Sequence, residues 1–234
     1  MTTPHTLAID IGGSGIKSML LDIHGTPLSD RLKKATPRPA IPSAVLAVIQ
    51  ELAIAHGSFH RLAVGFPGVI RNGTTRGAIN LDPSWNDFPL QKVLQDMLSV
   101  PVRIANDADV QGLGAIQGRG VELVITLGTG FGSALFINGQ LVPNLEMGQH
   151  LFRSRYTYEQ YLGQSALDRV GIKVWNRRLP RVIASLEMLF NYDQLYIGGG
   201  NAQKITAKLP SNVTVVSNEK GLLGGIKLWR DATK

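Results

Sequence analysis

The chain contains no cysteine. No disulfide framework and no thiolate zinc site can form, so zinc is not expected, and any metal must be held by carboxylate or histidine. Aromatic residues are sparse, at 6% of 234 positions, and supply no stacking platform beside the basic residues. Helix-turn-helix spacing is absent as well, so a nucleic-acid partner is not expected. No apolar run approaches the ~20 residues of a membrane span. The opening Met1-Thr2-Thr3-Pro4-His5 lacks the basic and apolar regions of a signal peptide, which reads as a cytoplasmic protein with no membrane partner.

Acidic residues are also in deficit, 17 against 24 lysines and arginines, for a formal charge of +7. Most of the excess lies between Arg153 and Arg181, where Arg153, Arg155, Arg169, Lys173, Arg177, Arg178 and Arg181 stand against Glu159 and Asp168. Such a segment either attracts polyanions or forms a solvated helix face. At 234 residues the chain is long for one core, so one elongated domain or two small ones is expected.

What is present is glycine at strand ends. Leu7 to Ile11 is an apolar strand that runs into Gly12-Gly13-Ser14-Gly15, and Ile16 to Ile23 leaves the turn as a second apolar run. Lys17-Ser18 follows Ile16 rather than a glycine, so the turn is not a P-loop, and a strand rather than a helix follows it, so it is not a dinucleotide fingerprint. A strand, glycine turn and strand remain, suited to phosphate or simply a tight hairpin. Asp10 ends the incoming strand with a carboxylate. Leu123 to Gly139 repeats the pattern at an offset of 116: Ile9 falls on Ile125, Ile11 on Leu127, Gly12 on Gly128, Met19 on Leu135 and Leu21 on Ile137. Self-similarity of this kind predicts two related α/β halves, each with a glycine turn, and two facing turns imply a cleft that grips a phosphate chain.

Between and beyond the hairpins, the periodicity predicts helices over Ile41 to His56 and Phe88 to Leu98, and a hairpin about Asn72-Gly73. Asn80 to Asn86 reads as a polar loop, either a site or a surface turn anchored by Trp85. Val102 to Ala105 delivers Asn106-Asp107-Ala108-Asp109 to a helix over Ala108 to Gln117, which makes Asp107 a catalytic base or a helix cap. Pro143 to His150 ends in groups suited to sugar hydroxyls. Tyr158 to Val170 and Val182 to Phe190 read as helices interrupted by Pro180. Leu195 to Gly200 is a strand entering a third glycine turn, and a helix from Ala202 to Leu209 would offer its N–H groups to an anion. Val213 to Val216 and Gly221 to Trp229 read as the last strand and helix.

With these pieces placed, the chain resembles the ROK sugar kinases and, within them, the polyphosphate glucokinase branch. The resemblance rests on Ile9 to Lys17, Phe66-Pro67-Gly68-Val69, Asn80 to Trp85, Asn106 to Asp109, Thr126 to Ser133, Pro143 to Glu146 and Ile197 to Asn201. Tyr158 to Gly163 and Gly221 to Gly225 extend it nearly end to end. Most ROK kinases carry a cysteine-rich zinc motif that this branch lacks, which agrees with the absence of cysteine.

The resemblance implies an actin-like (ribonuclease H-like) duplicated fold, with α/β domains at 1–107 and 108–234 around a cleft and the last helix packing back on the first domain. It implies a kinase that phosphorylates glucose, or mannose, at the 6-hydroxyl from inorganic polyphosphate or ATP. Asp107 would be the general base. Asn106, Glu146 and Asn80 would bind sugar. Gly12, Gly13, Ser14, Gly15 and Lys17, with Gly128, Thr129 and Gly130, would cradle phosphate, and Gly198, Gly199 and Gly200 would lie along the rest of the donor. Asp10 would hold Mg²⁺, and a homodimer is expected. The family's Glu-x-Gly-His is here Glu146-Met147-Gly148-Gln149 with His150 following, so Gln149 or His150 would take the histidine's place on the sugar and alter sugar preference. Two alternatives stand beside the kinase: a sugar sensor, since the family includes repressors, which carry a DNA-binding extension before the first strand, and a sugar-binding protein that has lost catalysis.

Overall fold

The computed structural model describes residues 3–78, 81–217 and 219–229. The chain forms two compact units, Met1–Gly114 with Glu219–Lys234, and Ala115–Asn218.

In the first unit the order is β1 (Thr6–Ile11), β2 (Gly15–Leu21), β3 (Leu32–Ala35), α1 (Pro42–His56), β4 (Arg61–Phe66), the hairpin β5 (Val69–Arg71) and β6 (Thr74–Arg76), α2 (Leu90–Leu98), β7 (Val102–Asn106) and α3 (Asp107–Ala115). Its sheet runs β3-β2-β1-β4-β7. The β1–β2 and β2–β3 pairs are antiparallel, while β4 lies parallel to both β1 and β7. Because β1 and β4 are covered on both faces they read as nearly unbroken apolar runs. α1 buries Val45, Ile49, Leu52 and Ala53 against this sheet. Ile54 belongs to the expected apolar face but points outward, 73% exposed.

The second unit continues with β8 (Val121–Leu127), β9 (Phe131–Ile137), β10 (Gln140–Val142), β11 (Leu151–Arg153), β12 (Tyr156–Thr157), α4 (Tyr158–Leu162), α5 (Gln164–Phe190), β13 (Gln194–Gly198) and β14 (Val213–Val215). Its sheet runs β10-β9-β8-β13-β14. Position by position, the strands pair in the same senses as in the first sheet. The duplication expected from the two hairpins therefore extends to the whole sheet.

Cross-strand register corrects the repeat beyond the turn. Ile11 pairs with Ile16 across a four-residue turn, whereas Leu127 pairs with Phe131 across a three-residue one. The second strands are thus offset by 115. Leu21 corresponds to Phe136, both fully buried, and not to Ile137, which is 48% exposed. A one-residue slip turns a strand's side chains to the other face, and burial detects it where composition does not.

α6 (Glu219–Lys227) returns the chain to the first unit. Leu222 and Ile226 pack on Ala8, Met19 and Leu21. A Cβ at Gly224 would come within 1.8 Å of the Val110 carbonyl and 2.8 Å of the Gly114 amide, so α6 lies directly against α3. That contact places α3 with the first unit, and the compact unit closes after Gly114 rather than after residue 107. Arg61 and Arg103 stack their guanidinium groups 5.0 and 4.6 Å from the Trp229 ring.

Two elements depart from the periodicity. α5 runs through Pro180 and is broken instead at Gly171, whose φ of 73° and ψ of 160° are not helical. Trp175, Leu179, Val182, Ile183 and Leu186 form one buried stripe across the proline, which holds the helix together despite the lost hydrogen bond. After Gly200 the expected helix reduces to one 3₁₀ turn, Ala202–Lys204. Asn176 of α5 takes over the backbone there. Its Oδ1 accepts from Thr206 N (2.7 Å) and Ala207 N (3.1 Å), and its Nδ2 donates to Lys204 O (3.1 Å).

Candidate functional site

In the first unit the site begins at the Gly12–Gly15 turn. Gly12 N donates to Gly15 O at 3.1 Å, and a Cβ on Gly12 would sit 2.9 Å from that oxygen. Thr36 Oγ1 donates to Gly12 O (2.5 Å), Arg38 Nη2 to Gly13 O (3.2 Å) and Thr36 N to Ser14 O (3.5 Å). Among the described residues, the amides of Gly13 and Ser14 donate to no protein acceptor. Carbonyls engaged by protein donors and amides without a protein acceptor form a backbone concavity of the kind that can take an anion. Asp10 and Lys17 are cross-strand partners, with Nζ 2.8 Å from Oδ2, so Lys17 is ion-paired to the carboxylate expected to hold a metal.

At the end of β7, Asn106 is buried and its Oδ1 accepts from Ala108 N (2.8 Å) and Asp109 N (3.3 Å), capping α3. Asp107 is the first residue of α3, half-buried, and its Oδ1 accepts from Ala108 N at 2.8 Å. Asn106 and Asp107 thus share the Ala108 amide, while Asn106 also reaches Asp109 N. Gly65 of β4 leaves room for Asp107, since a Cβ there would lie 3.3 Å from its Cα. Asn106 Nδ2 donates to Gly68 O (3.3 Å), which ties the Phe66-Pro67-Gly68-Val69 stretch to this junction.

Asn80 lies outside the described residues. The loop after it is anchored by Trp85, which is fully buried against Phe66 and Phe88 and donates from Nε1 to Ala40 O at 2.7 Å. Asp82 accepts from Ser84 Oγ (2.6 Å) and Ser84 N (2.9 Å), bonds that hold its carboxyl below the ordinary carboxylate value.

The second unit builds its turn in the same way. Gly128 N donates to Gly130 O (3.1 Å), and Gln164 N donates to Gly128 O (3.0 Å) and Thr129 O (3.4 Å). Asn201 Nδ2 donates to Gly128 O (3.3 Å) and Gln164 Oε1 (2.9 Å). The amides of Thr129 and Gly130, like those of Gly13 and Ser14, donate to no protein acceptor among the described residues. Gly199, with φ of 89°, sits so close to the end of β8 that a Cβ would lie 2.3 Å from Leu127 O. The third glycine run is thus packed beside the second turn, but the single 3₁₀ turn after it offers no helix N-terminus to an anion.

Glu146, Gln149 and His150 flank another 3₁₀ turn, Met147–Gln149. Ser133 Oγ donates to Leu145 O and accepts from Met147 N (3.2 Å), and Gly148 leaves 2.2 Å between a built Cβ and Phe131 O. The loop is therefore clamped to β9. Gln149 and His150 are exposed, and the His150 ring lies 6.4 Å from that of Tyr158. Glu146 keeps an exposed edge. Even so, the protein around its carboxyl first, and the Glu159 carboxylate second, raise its pKa above the ordinary value.

Glu159 received no role from the sequence, although it lies in the Tyr158 to Gly163 stretch. Its Oε2 accepts from Phe131 N (3.1 Å), so one half-buried carboxylate touches the second glycine turn and acts electrostatically on Glu146. A capping box between Thr157 and Gln160 fixes the helix that carries it.

Residues 6–148 match the model of the ROK family. The chain is 34% identical to a polyphosphate glucokinase of Mycobacterium leprae, over 92% of this chain and 72% of that protein. A Mycobacterium tuberculosis (strain CDC 1551 / Oshkosh) polyphosphate glucokinase is 34% identical as well, over 89% and 82% of the two chains. The crystal structure of the inorganic polyphosphate/ATP-glucomannokinase from Arthrobacter sp. strain KM matches at a TM-score of 0.85, with 33% identity over 98% of this chain and 99% of that one. The chain belongs to the ROK family. Its fold is the actin-like fold of those kinases. The family match includes Asp10, both hairpin turns, Asn106, Asp107 and Glu146, and it ends just before Gln149 and His150.

Proposed function

We propose that this ROK protein phosphorylates glucose at the 6-hydroxyl, taking the terminal phosphoryl group from inorganic polyphosphate and also from ATP. The relatives named polyphosphate glucokinase and polyphosphate/ATP-glucomannokinase support the reaction. The observation that carries it is the pair of glycine turns, each with two central amides lacking a protein acceptor and with its carbonyls engaged. Such turns suit a donor made of phosphate.

Asp107 accepts the proton of the 6-hydroxyl as that oxygen bonds to the terminal phosphorus. The bridging P–O bond breaks, and the donor leaves one phosphate shorter. Asn106, Asn80, Glu146, Gln149 and His150 hold the sugar's hydroxyl groups, and either glucose or mannose is within their chemistry. Gly12 to Gly15 and Gly128 to Gly130 cradle donor phosphates, with Gly198 to Gly200 along the remainder of the chain. Phosphoryl transfer depends mainly on such positioning and on charge neutralisation.

Among the described residues no group of three His, Asp or Glu side chains could cage a metal. Mg²⁺ needs no such cage, because one or two carboxylates and the donor's own phosphates commonly suffice. Asp10 fits that pattern, and Lys17 beside it can turn to phosphate. Mg²⁺ held by Asp10 would neutralise charge on the donor. The proposal takes the working form as a cytoplasmic homodimer.

The test is glucose phosphorylation with polyphosphate and with ATP in separate assays. Product from polyphosphate is expected. Product from ATP alone would overturn the donor, and sugar binding with no product from either would favour the non-catalytic reading that the Gln149 departure motivates.

A further inference from the structure

The second unit contains a groove of about 410 Å³ that the site above does not use. It is lined by Arg153, Arg177, Arg178 and Arg181, together with Tyr156 and Tyr161. On α5, Val174, Arg177, Arg178 and Arg181 fall at i, i+3, i+4 and i+7, so the three arginines share one helix face. Like charges at i,i+3 and i,i+4 repel and weaken a helix. No carboxylate lines the groove, and among the described residues none of the four arginines is paired with one. Arg153, Arg177 and Arg181 are exposed. Arg178 is fixed, donating to Tyr161 O at 3.0 Å.

The tyrosines indicate which anion fits. Arg178 already covers the Tyr161 ring at 4.5 Å, and Arg169 the Tyr156 ring at 5.5 Å. Binding of single-stranded nucleic acid relies on open aromatic faces for base stacking, and each ring here already has a guanidinium over one face. What the groove still offers is a row of guanidinium donors, which suits an anion made only of phosphate groups. The groove also adjoins the donor turn through one short helix, because α4 carries both Tyr161 and Glu159, the latter bonded to Phe131 N.

We propose that this arginine groove binds the distal part of a long polyphosphate chain, away from the phosphoryl group being transferred. The inference rests on the polyphosphate reading above and adds a subsite that short donors do not occupy.

The experiment uses Arg177→Ala/Arg181→Ala in the full chain, with the urea midpoint as the check on folding. Binding of labelled long-chain polyphosphate is measured directly over a salt series, and initial rates are measured with long-chain polyphosphate and with tripolyphosphate. Affinity for the long chain is expected to fall on the order of tenfold at low salt, with a slope of log affinity against log salt shallower by about two. The KM for tripolyphosphate should stay within about twofold, and Arg177→Lys/Arg181→Lys should restore the salt slope and part of the long-chain affinity, since charge is retained while the guanidinium fork is lost. Unchanged long-chain binding, or equal losses for both donors, would overturn the proposal, as would tighter binding of single-stranded RNA than of polyphosphate. If the long chain binds through these arginines yet no phosphate reaches glucose, the groove stands and the polyphosphate-kinase reading fails.

Discussion

Glu146 and Glu159 show how single residues set the chemistry of the candidate site. Burial comes first and the Glu159 carboxylate second in raising the Glu146 pKa, so the fold disfavours the ionised form of Glu146. Its contribution to stability is therefore present at pH below the ordinary carboxylate value and is lost as pH rises through the raised one. If the ionised group accepts a sugar hydroxyl, the acid limb of kcat/KM for glucose lies above the ordinary carboxylate range. Glu159→Gln should move that limb towards lower pH while leaving part of the rise, because burial remains. A limb that stays in place in the variant's pH profile would show that Glu146 does not govern it. Asp107 and Asn106 make a complementary pair. At the start of α3 both side chains accept from Ala108 N, and Asn106 also reaches Asp109 N.

At the scale of elements, side chains that replace backbone partners decide where helices and connections end. Asn176 supplies three bonds to the segment after Gly200, and Glu122 does the same for the connection from α3 to β8. Glu122 accepts from the amides of Gln117 (2.7 Å), Gly118 (2.7 Å) and Arg119 (3.0 Å) and from the Tyr196 hydroxyl (3.0 Å). Burial, then the bond and charge of Glu122, push the Tyr196 hydroxyl up to about 12. Asn176→Ala would leave two amides and a carbonyl without these partners, at a cost of about 2 kcal/mol. Urea unfolding should show a lower midpoint with an unchanged slope. A midpoint equal to that of the parent protein would mean that Asn176 does not hold this segment. Neither residue carries a periodic signal, since a polar side chain bonded to distant backbone resembles a surface residue until the chain is folded.

For the molecule as a whole, the hairpin at the centre of each sheet was legible because it is announced by an apolar strand, a glycine turn and a second apolar strand, whereas the short edge strands β3 and β10 carry no apolar run and were not. The matching order β3-β2-β1-β4-β7 and β10-β9-β8-β13-β14 follows from that repeated unit. Register past the turn was not legible, because Gly12 to Gly15 and Gly128 to Gly130 differ by one residue and several apolar neighbours make either alignment plausible. Pro180 misled for a related reason: local propensity favoured a break, and the buried stripe from Trp175 to Leu186 overrode it. Within the candidate site, the motif-bearing residues Asp10, Asp107 and Glu146 could be named from the sequence. Thr36, Arg38, Gln164 and Asn201, which turn the glycine carbonyls inward, could not, because their partners are remote in the chain. Transfer of phosphate from polyphosphate to glucose with Asp107 as the proposed base is tested most directly by glucose 6-phosphate formation from polyphosphate by the parent protein and by Asp107→Ala under identical conditions, with circular dichroism confirming the fold of each. Steady product is expected from the parent, and a fall of about 10² to 10⁴ in kcat for the variant. A folded Asp107→Ala protein that makes product at the parent rate would contradict it.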